Sequence, residues 1–297
     1  MKRPIRKRAV KVKSGKTKSV KARVRRSGAP VPRPTLEAAL ADVQAHGVGI
    51  WAGALDKAET DDIRRRLWGV AQRKSASGIR DYVPADADAN NIRLLQLINW
   101  DPYFIELASR DIVLAAVKQV IGERILLSNY SANIMGPNAG SMVLHADQGY
   151  VTEPWPAVPL AVNIGWMIDD FTEEVGATRF VPDSHRALGN PEPGVTYDTV
   201  AMEGPAGSMM IMDGRVWHTS GANTTKDRMR AGIFGYYVLP WIRQQVNWRD
   251  VLDSDIVAQC SGEFLYLLGY ATGNRELFNP AATSARAAAP KSRRTPR

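Results

Sequence analysis

The stretch ILLSNYSANIMGPNAGSMVLHAD, residues 125–147, is where the chain changes character and where its fold is decided. From Ile125 onward, short β-type runs alternate with turn residues: Leu126–Met135, Met142–Asp147, Leu160–Met167, Thr178–Val181, Ser208–Met212, Val216–Thr219 and Ala231–Leu239. Gly136-Pro137-Asn138, Gly140, Gly176, Pro182, Gly189, Gly207 and Gly214 punctuate them. Glycine supplies backbone angles that other residues avoid and proline ends ladders, so such punctuation separates strands. Regularly spaced short strands predict a sandwich or jelly roll. The expected class is mainly β with flanking helices around a double-stranded β-helix, a jelly-roll or cupin-like core.

Outward from this stretch the pattern is helical. Thr35 reads as the N-cap of a helix over 36–46 that Gly47 ends, because a hydroxyl satisfies free amides at the first turn. A second helix is expected over about 56–74, with Ile63, Leu67 and Val70 on one face, then a polar loop over 75–91. Segments near 103–109 and 111–121 follow, and helix returns over about 248–269. One domain is expected over 35–280, between basic tails at 1–34 and 281–297.

Charge separates the tails from the body. Of 39 Lys and Arg, fourteen lie in residues 1–33 and five in 281–297, neither segment carrying an acid. That leaves 20 basic residues against all 30 acidic ones in 34–280, a formal charge of −10 beneath an overall +9. Charge blocks poor in apolar residues cannot bury enough surface to fold, so the tails read as solvated extensions. The alternative for residues 1–33 is nonspecific nucleic-acid contact driven by counterion release. No apolar run is long enough for a membrane span; the best, Pro159 to Ile168, is interrupted by Asn163. With Cys260 as the single cysteine, no intrachain disulfide can form, which fits a reducing, cytoplasmic setting.

His145 and Asp147 stand at i and i+2, which on a strand places both side chains on one face while Ala146 points away. A third ligand must come from a distant strand. Of four histidines, His46 ends a helix and His185 lies in a turn, leaving His218. Two imidazoles and one carboxylate are the ligand set of non-heme Fe(II) sites that keep coordination positions open, although Mn, Co, Ni or Zn would also bind it. Arg228 and Arg230 follow at the start of the last strand. A guanidinium pairs bidentately with a carboxylate, and periodicity does not choose between the two.

At this point the chain resembles the phytanoyl-CoA dioxygenase family of Fe(II)- and 2-oxoglutarate-dependent oxygenases, over roughly residues 35–270. The resemblance rests on His145-x-Asp147 with Gln148-Gly149-Tyr150, on EVGATRFVPDSHR at 174–186, on His218-x-x-Gly221-x-Asn223 and on Leu267-Leu268-Gly269-Tyr270. It implies iron ligands His145, Asp147 and His218. It implies Arg230 as anchor of the far carboxylate of 2-oxoglutarate, with Arg228 in reserve and Thr178 beside it. Val175 and Asp183 depart from the family's usual Asn and Gly, and Met142 stands where some relatives carry a polar cosubstrate contact. Implied with the family are Fe(II), 2-oxoglutarate and O2, release of succinate and CO2, and oxidation of a small molecule. The retained Asp147 favours oxygen insertion, desaturation or rearrangement over halogenation, which needs that position vacated.

Gln148, Tyr150, Trp155, Trp166 and Trp217 are the candidate substrate contacts, since aromatic walls with a few polar groups are usual in small-molecule pockets. The acidic body speaks against a polyanionic substrate and for a neutral or cationic one. Two other readings compete: a jelly-roll binding protein without turnover, and a nucleic-acid dioxygenase using the basic tail.

Overall fold

The computed structural model describes residues 30–81 and 88–270; the expectations for residues 1–29 and 281–297 lie outside the described residues. The strands are β1 (Val48–Trp51), β2 (Asn91–Leu94), β3 (Leu126–Met135), β4 (Ala161–Met167), β5 (Thr178–Phe180), β6 (Val200–Ala201), β7 (Met209–Asp213), β8 (His218–Ser220) and β9 (Arg230–Val238). They form an antiparallel six-stranded sheet in the order β1-β7-β4-β9-β3-β2 and a three-stranded sheet in the order β6-β5-β8. The non-sequential order brings residues distant in sequence side by side, as a jelly roll requires.

Helices cover the outer face of the larger sheet: α1 (Leu36–His46), α2 (Lys57–Ala76), α3 (Tyr103–Ala108), α4 (Asp111–Ile121), α5 (Trp248–Val251), α6 (Ser254–Val257) and α7 (Gly262–Leu267). Thr35 caps α1 by accepting from the Ala38 amide, and Gly47 ends it with φ 79°. Strand alternation divides the sheet. Tyr130, Ala132, Ile134, Val162, Ile164, Trp166, Ile211 and Ile233 point outward and join Ile63, Leu67, Val70, Val113 and Val117 of the helices in the main core. The opposite parity, Asn129, Ser131, Asn133, Asn163, Met210, Met212, Phe234 and Tyr236, faces a cavity between the sheets.

The departures from expectation have local causes. Strands β1, β2 and β6 are short and lack a sequence signal that separates them from helix or loop. Met142–Asp147 is not a strand: within it only His145 bridges, to His218, and a turn begins at Asp147. Side chains replace ladder bonds there, since the Met142 amide donates to Ser220 Oγ at 3.1 Å and the Thr219 hydroxyl donates to the Met142 carbonyl. The expected helix over 248–269 is three short ones. Asp253 and Ser261 are extended between them, and Ser261 restarts the helix by accepting from the Phe264 amide at 3.1 Å. Arg33, placed in the tail by composition, belongs to the fold: its amide donates to Ile50 O at 2.8 Å and its guanidinium pairs with Asp42 at 2.5 Å.

Candidate active site

His145 and His218 are opposite residues of one antiparallel bridge. The His145 amide donates to His218 O at 3.0 Å, and the His218 amide to His145 O at 2.7 Å. Residues exchanging both bonds in this way project side chains on the same face, so the backbone sets the spacing of the two rings, 4.4 Å between centroids. Each ring is turned by its own chain. Nδ1 of His145 lies 2.9 Å from Val143 O and Nδ1 of His218 lies 3.0 Å from Val216 O. A carbonyl only accepts, so Nδ1 carries the proton and the Nε2 lone pair faces the site.

Asp147 completes the cluster from the turn, with Oδ1 3.8 Å from Nε2 of each histidine. Two ligand atoms about 2.0–2.2 Å from one ion fit such a separation. Burial pushes the His218 imidazole down to about 4, against the opposing charge of Asp147, which keeps it neutral and able to ligate. The Gln148 amide donates to Gly214 O at 2.8 Å and the Tyr236 hydroxyl to Asp147 O at 2.9 Å, so the turn is tied to both flanking segments.

The cluster opens on a cavity of about 540 Å³ lined by both sheets. Arg230 lines it with 1% of its surface exposed. Its guanidinium donates to Gly176 O and stacks on Phe171, 4.5 Å from the ring centroid. Thr178 and Ser220, paired across β5 and β8, line the cavity too. Arg228 leaves it: the side chain is exposed and pairs with Glu174 at 2.6 Å. The parity that left both arginines open is broken at Arg230, where β9 begins.

Of the five proposed substrate contacts, only Tyr150 lines the cavity, half-exposed, its hydroxyl 3.0 Å from that of Tyr236. Burial, foremost, raises both phenols, so they stay protonated donors. The other four are placed elsewhere. Trp166 lies on the outer face of β4 in the main core. Trp155 and Trp217 pack with Ala146 and donate to Val151 O and Gly189 O at 2.9 and 2.7 Å. Gln148 is fully buried and accepts from the Leu160 amide at 3.0 Å. Ala146 points away from the cluster, as expected, and is packed against Trp155 and Trp217. Asn133, Asn163, Met210, Phe234 and Tyr236 also line the cavity and were not among the expected site residues; the signal for Asn133 and Asn163 is a carboxamide interrupting an apolar strand run.

A jelly roll in which His145, Asp147 and His218 line one cavity with a buried arginine fits the chemistry of an Fe(II)- and 2-oxoglutarate-dependent dioxygenase, the class to which the chain belongs. Comparison with known proteins agrees. The model of the phytanoyl-CoA dioxygenase (PhyH) family matches residues 43–232, and the chain belongs to that family. Dioxygenase af480 of Aspergillus fumigatus is 36% identical over 237 residues, 78% of this chain and 76% of its own length. The uncharacterized protein Rv1501 of Mycobacterium tuberculosis is 27% identical over 75% of this chain and 83% of its own. Among solved structures, the epimerase SnoN in complex with Fe3+, alpha ketoglutarate and nogalamycin RO shares the fold with a TM-score of 0.56. It is 20% identical, over 74% of this chain and 90% of that one. HygX from Streptomyces hygroscopicus with nickel, 2-oxoglutarate and hygromycin B bound has a TM-score of 0.57 at 15% identity, over 70% of this chain and 88% of its own. No helix among the described residues is long and apolar enough to cross a membrane.

Proposed function

We propose that the protein hydroxylates a small-molecule metabolite, with His145, Asp147 and His218 as the iron ligands and Arg230 as the anchor of 2-oxoglutarate. The observation that carries this reading is the convergence of two imidazole Nε2 atoms and one carboxylate oxygen on a cavity that also holds a buried guanidinium. That donor set fits Fe(II) while leaving positions open. When bound, iron and 2-oxoglutarate supply the oxidising chemistry, consuming O2 and releasing succinate and CO2.

The chain's own residues bind, orient and exclude water. Arg230, desolvated and set by Gly176 and Phe171, presents a fork to a carboxylate entering the cavity, with Thr178 and Ser220 beside it. Phe234, Met210 and Met212 give that entrance apolar walls, which strengthen charge pairing by keeping water away. Tyr150, at the mouth, offers a phenol to the substrate. A volume of about 540 Å³ lies within the range usual for small-molecule pockets. SnoN and HygX, whose structures hold nogalamycin RO and hygromycin B, support a small-molecule rather than a macromolecular substrate.

The test is anaerobic addition of Fe(II) and 2-oxoglutarate to apo-protein, watching for the weak visible charge-transfer band of the chelate. Succinate release over a panel of neutral, cationic and acyl-CoA metabolites follows. A band with substrate-dependent succinate supports the proposal. No band, or a band without succinate from any compound, counts against it.

A further inference from the structure

We infer that Asn163 is the positioning residue that makes Asp147 a one-oxygen ligand, an inference that rests on the proposed iron site. Asp147 lies in a turn rather than a ladder, so no strand geometry fixes the direction of its carboxylate. Oδ1 faces both imidazoles. The other oxygen, Oδ2, accepts from Asn163 Nδ2 at 2.9 Å. A carboxylate only accepts, so the amide must turn its NH2 toward Asp147, and the orientation of the carboxamide is settled by chemistry.

Asn163 is well placed to hold another group still. It sits mid-strand in β4, paired to Met212 on one side and Tyr236 on the other, within the six-stranded sheet. It also interrupts an apolar run, PLAVNIGWMI at 159–168. Among the described residues its own buried Oδ1 has no hydrogen-bond partner. A buried acceptor without a partner lowers stability, and an aliphatic residue would suit the strand better. Among the described residues its side chain donates to Asp147, which points to a role at the site.

The consequence is a count of ligand atoms. With Oδ2 held by Asn163, the protein presents two nitrogens and one oxygen, and the remaining positions stay available to the cosubstrate and O2. If Oδ2 were released, nothing would keep Oδ1 turned toward the imidazoles, and a metal ion would lose part of a pre-set ligand. Partners that orient a metal ligand in this way contribute about 10- to 100-fold to metal affinity or activity.

The experiment compares wild type with Asn163→Leu, close in size but without the donor, using Co(II) titrated into metal-free protein and the thermal midpoint of the same metal-free protein. The expected result is Co(II) binding about 10- to 100-fold weaker, with the midpoint unchanged within about 4 °C or raised. A purely structural residue would move the midpoint down, so weaker binding accompanied by a larger fall overturns the inference. Binding within threefold of wild type also overturns it. Should Asn163→Leu not fold, Asn163→Val is read by the same criteria, and failure of both variants to fold shows a structural role instead. Absence of Co(II) binding by wild type removes the iron-site proposal itself, an outcome distinct from a silent Asn163.

Discussion

Replacing Arg230 by methionine removes the guanidinium while keeping much of the stem, and the resulting change in 2-oxoglutarate affinity follows from where the side chain sits. Arg230 is 1% exposed, while Arg228 is exposed and paired with Glu174 across 2.6 Å. Truncating one partner of a buried, hydrogen-bonded charge pair costs about 2–5 kcal/mol. At about 1.4 kcal/mol per decade, that weakens binding roughly 30- to 4000-fold. Arg228→Met removes an exposed ion pair worth about 0–1 kcal/mol to stability and nothing from the cavity, so its affinity stays within about twofold. Arg230→Lys keeps charge without the fork and falls between. The assay is anaerobic titration of 2-oxoglutarate into Fe(II)-loaded protein, read from the charge-transfer band, with the KM from succinate release as a check. An unchanged affinity in folded Arg230→Met, or a larger loss in Arg228→Met, would refute the placement of the anchor.

Combined replacement of His145, Asp147 and His218 by alanine abolishes the charge-transfer band, whereas a persistent band would show that iron binds elsewhere. Trp166→Ala lowers stability by about 3–5 kcal/mol through the cavity it leaves in the core, yet the folded fraction keeps its KM for 2-oxoglutarate; chemical denaturation and succinate release separate the two. Tyr150→Phe shows the reverse pattern, a changed substrate KM with little change in stability, because its hydroxyl stands at the half-exposed cavity mouth. Deleting residues 1–29 leaves small-molecule turnover unchanged, while deletion through Arg33 also lowers the thermal midpoint by cutting the contacts to Ile50 and Asp42. A large loss of turnover in the shorter deletion, seen on DNA or RNA, would favour the nucleic-acid reading.

Much of the fold was legible because the physics that makes it is local. Thr35 and Gly47 bound α1 where capping chemistry put them, and β3 runs over the residues its composition marked. The short strands β1, β2 and β6 were not legible, since two to four residues carry too little pattern to compete with their surroundings. Trp166 shows a different limit. Aromatic character suggested a pocket wall, but Trp166 and Asn163 are three apart on one strand and must face opposite ways. With Asn163 inward, the tryptophan is committed to the core. The carboxamide that ruled out a membrane span was also the sign of which face held the site.

The three proposed metal ligands illustrate why spacing reads some sites and topology others. His145 and Asp147 are near neighbours, and their i, i+2 relation was visible even though the strand that justified it is a single bridge followed by a turn. His218 was reached by elimination and by the family resemblance, because nothing local links it to residue 145. What joins them is one pair of reciprocal backbone bonds between the two histidines themselves. The ligand spacing therefore depends on β8 remaining in register with the segment before Asp147. That register is held by the Met142 contacts to Thr219 and Ser220 and by the pairing of Thr178 with Ser220. A one-residue slip would turn His218 to the opposite face and remove it from the site altogether. The geometry of the cluster is thus a property of sheet register, with the turn at Asp147 supplying the proposed third ligand.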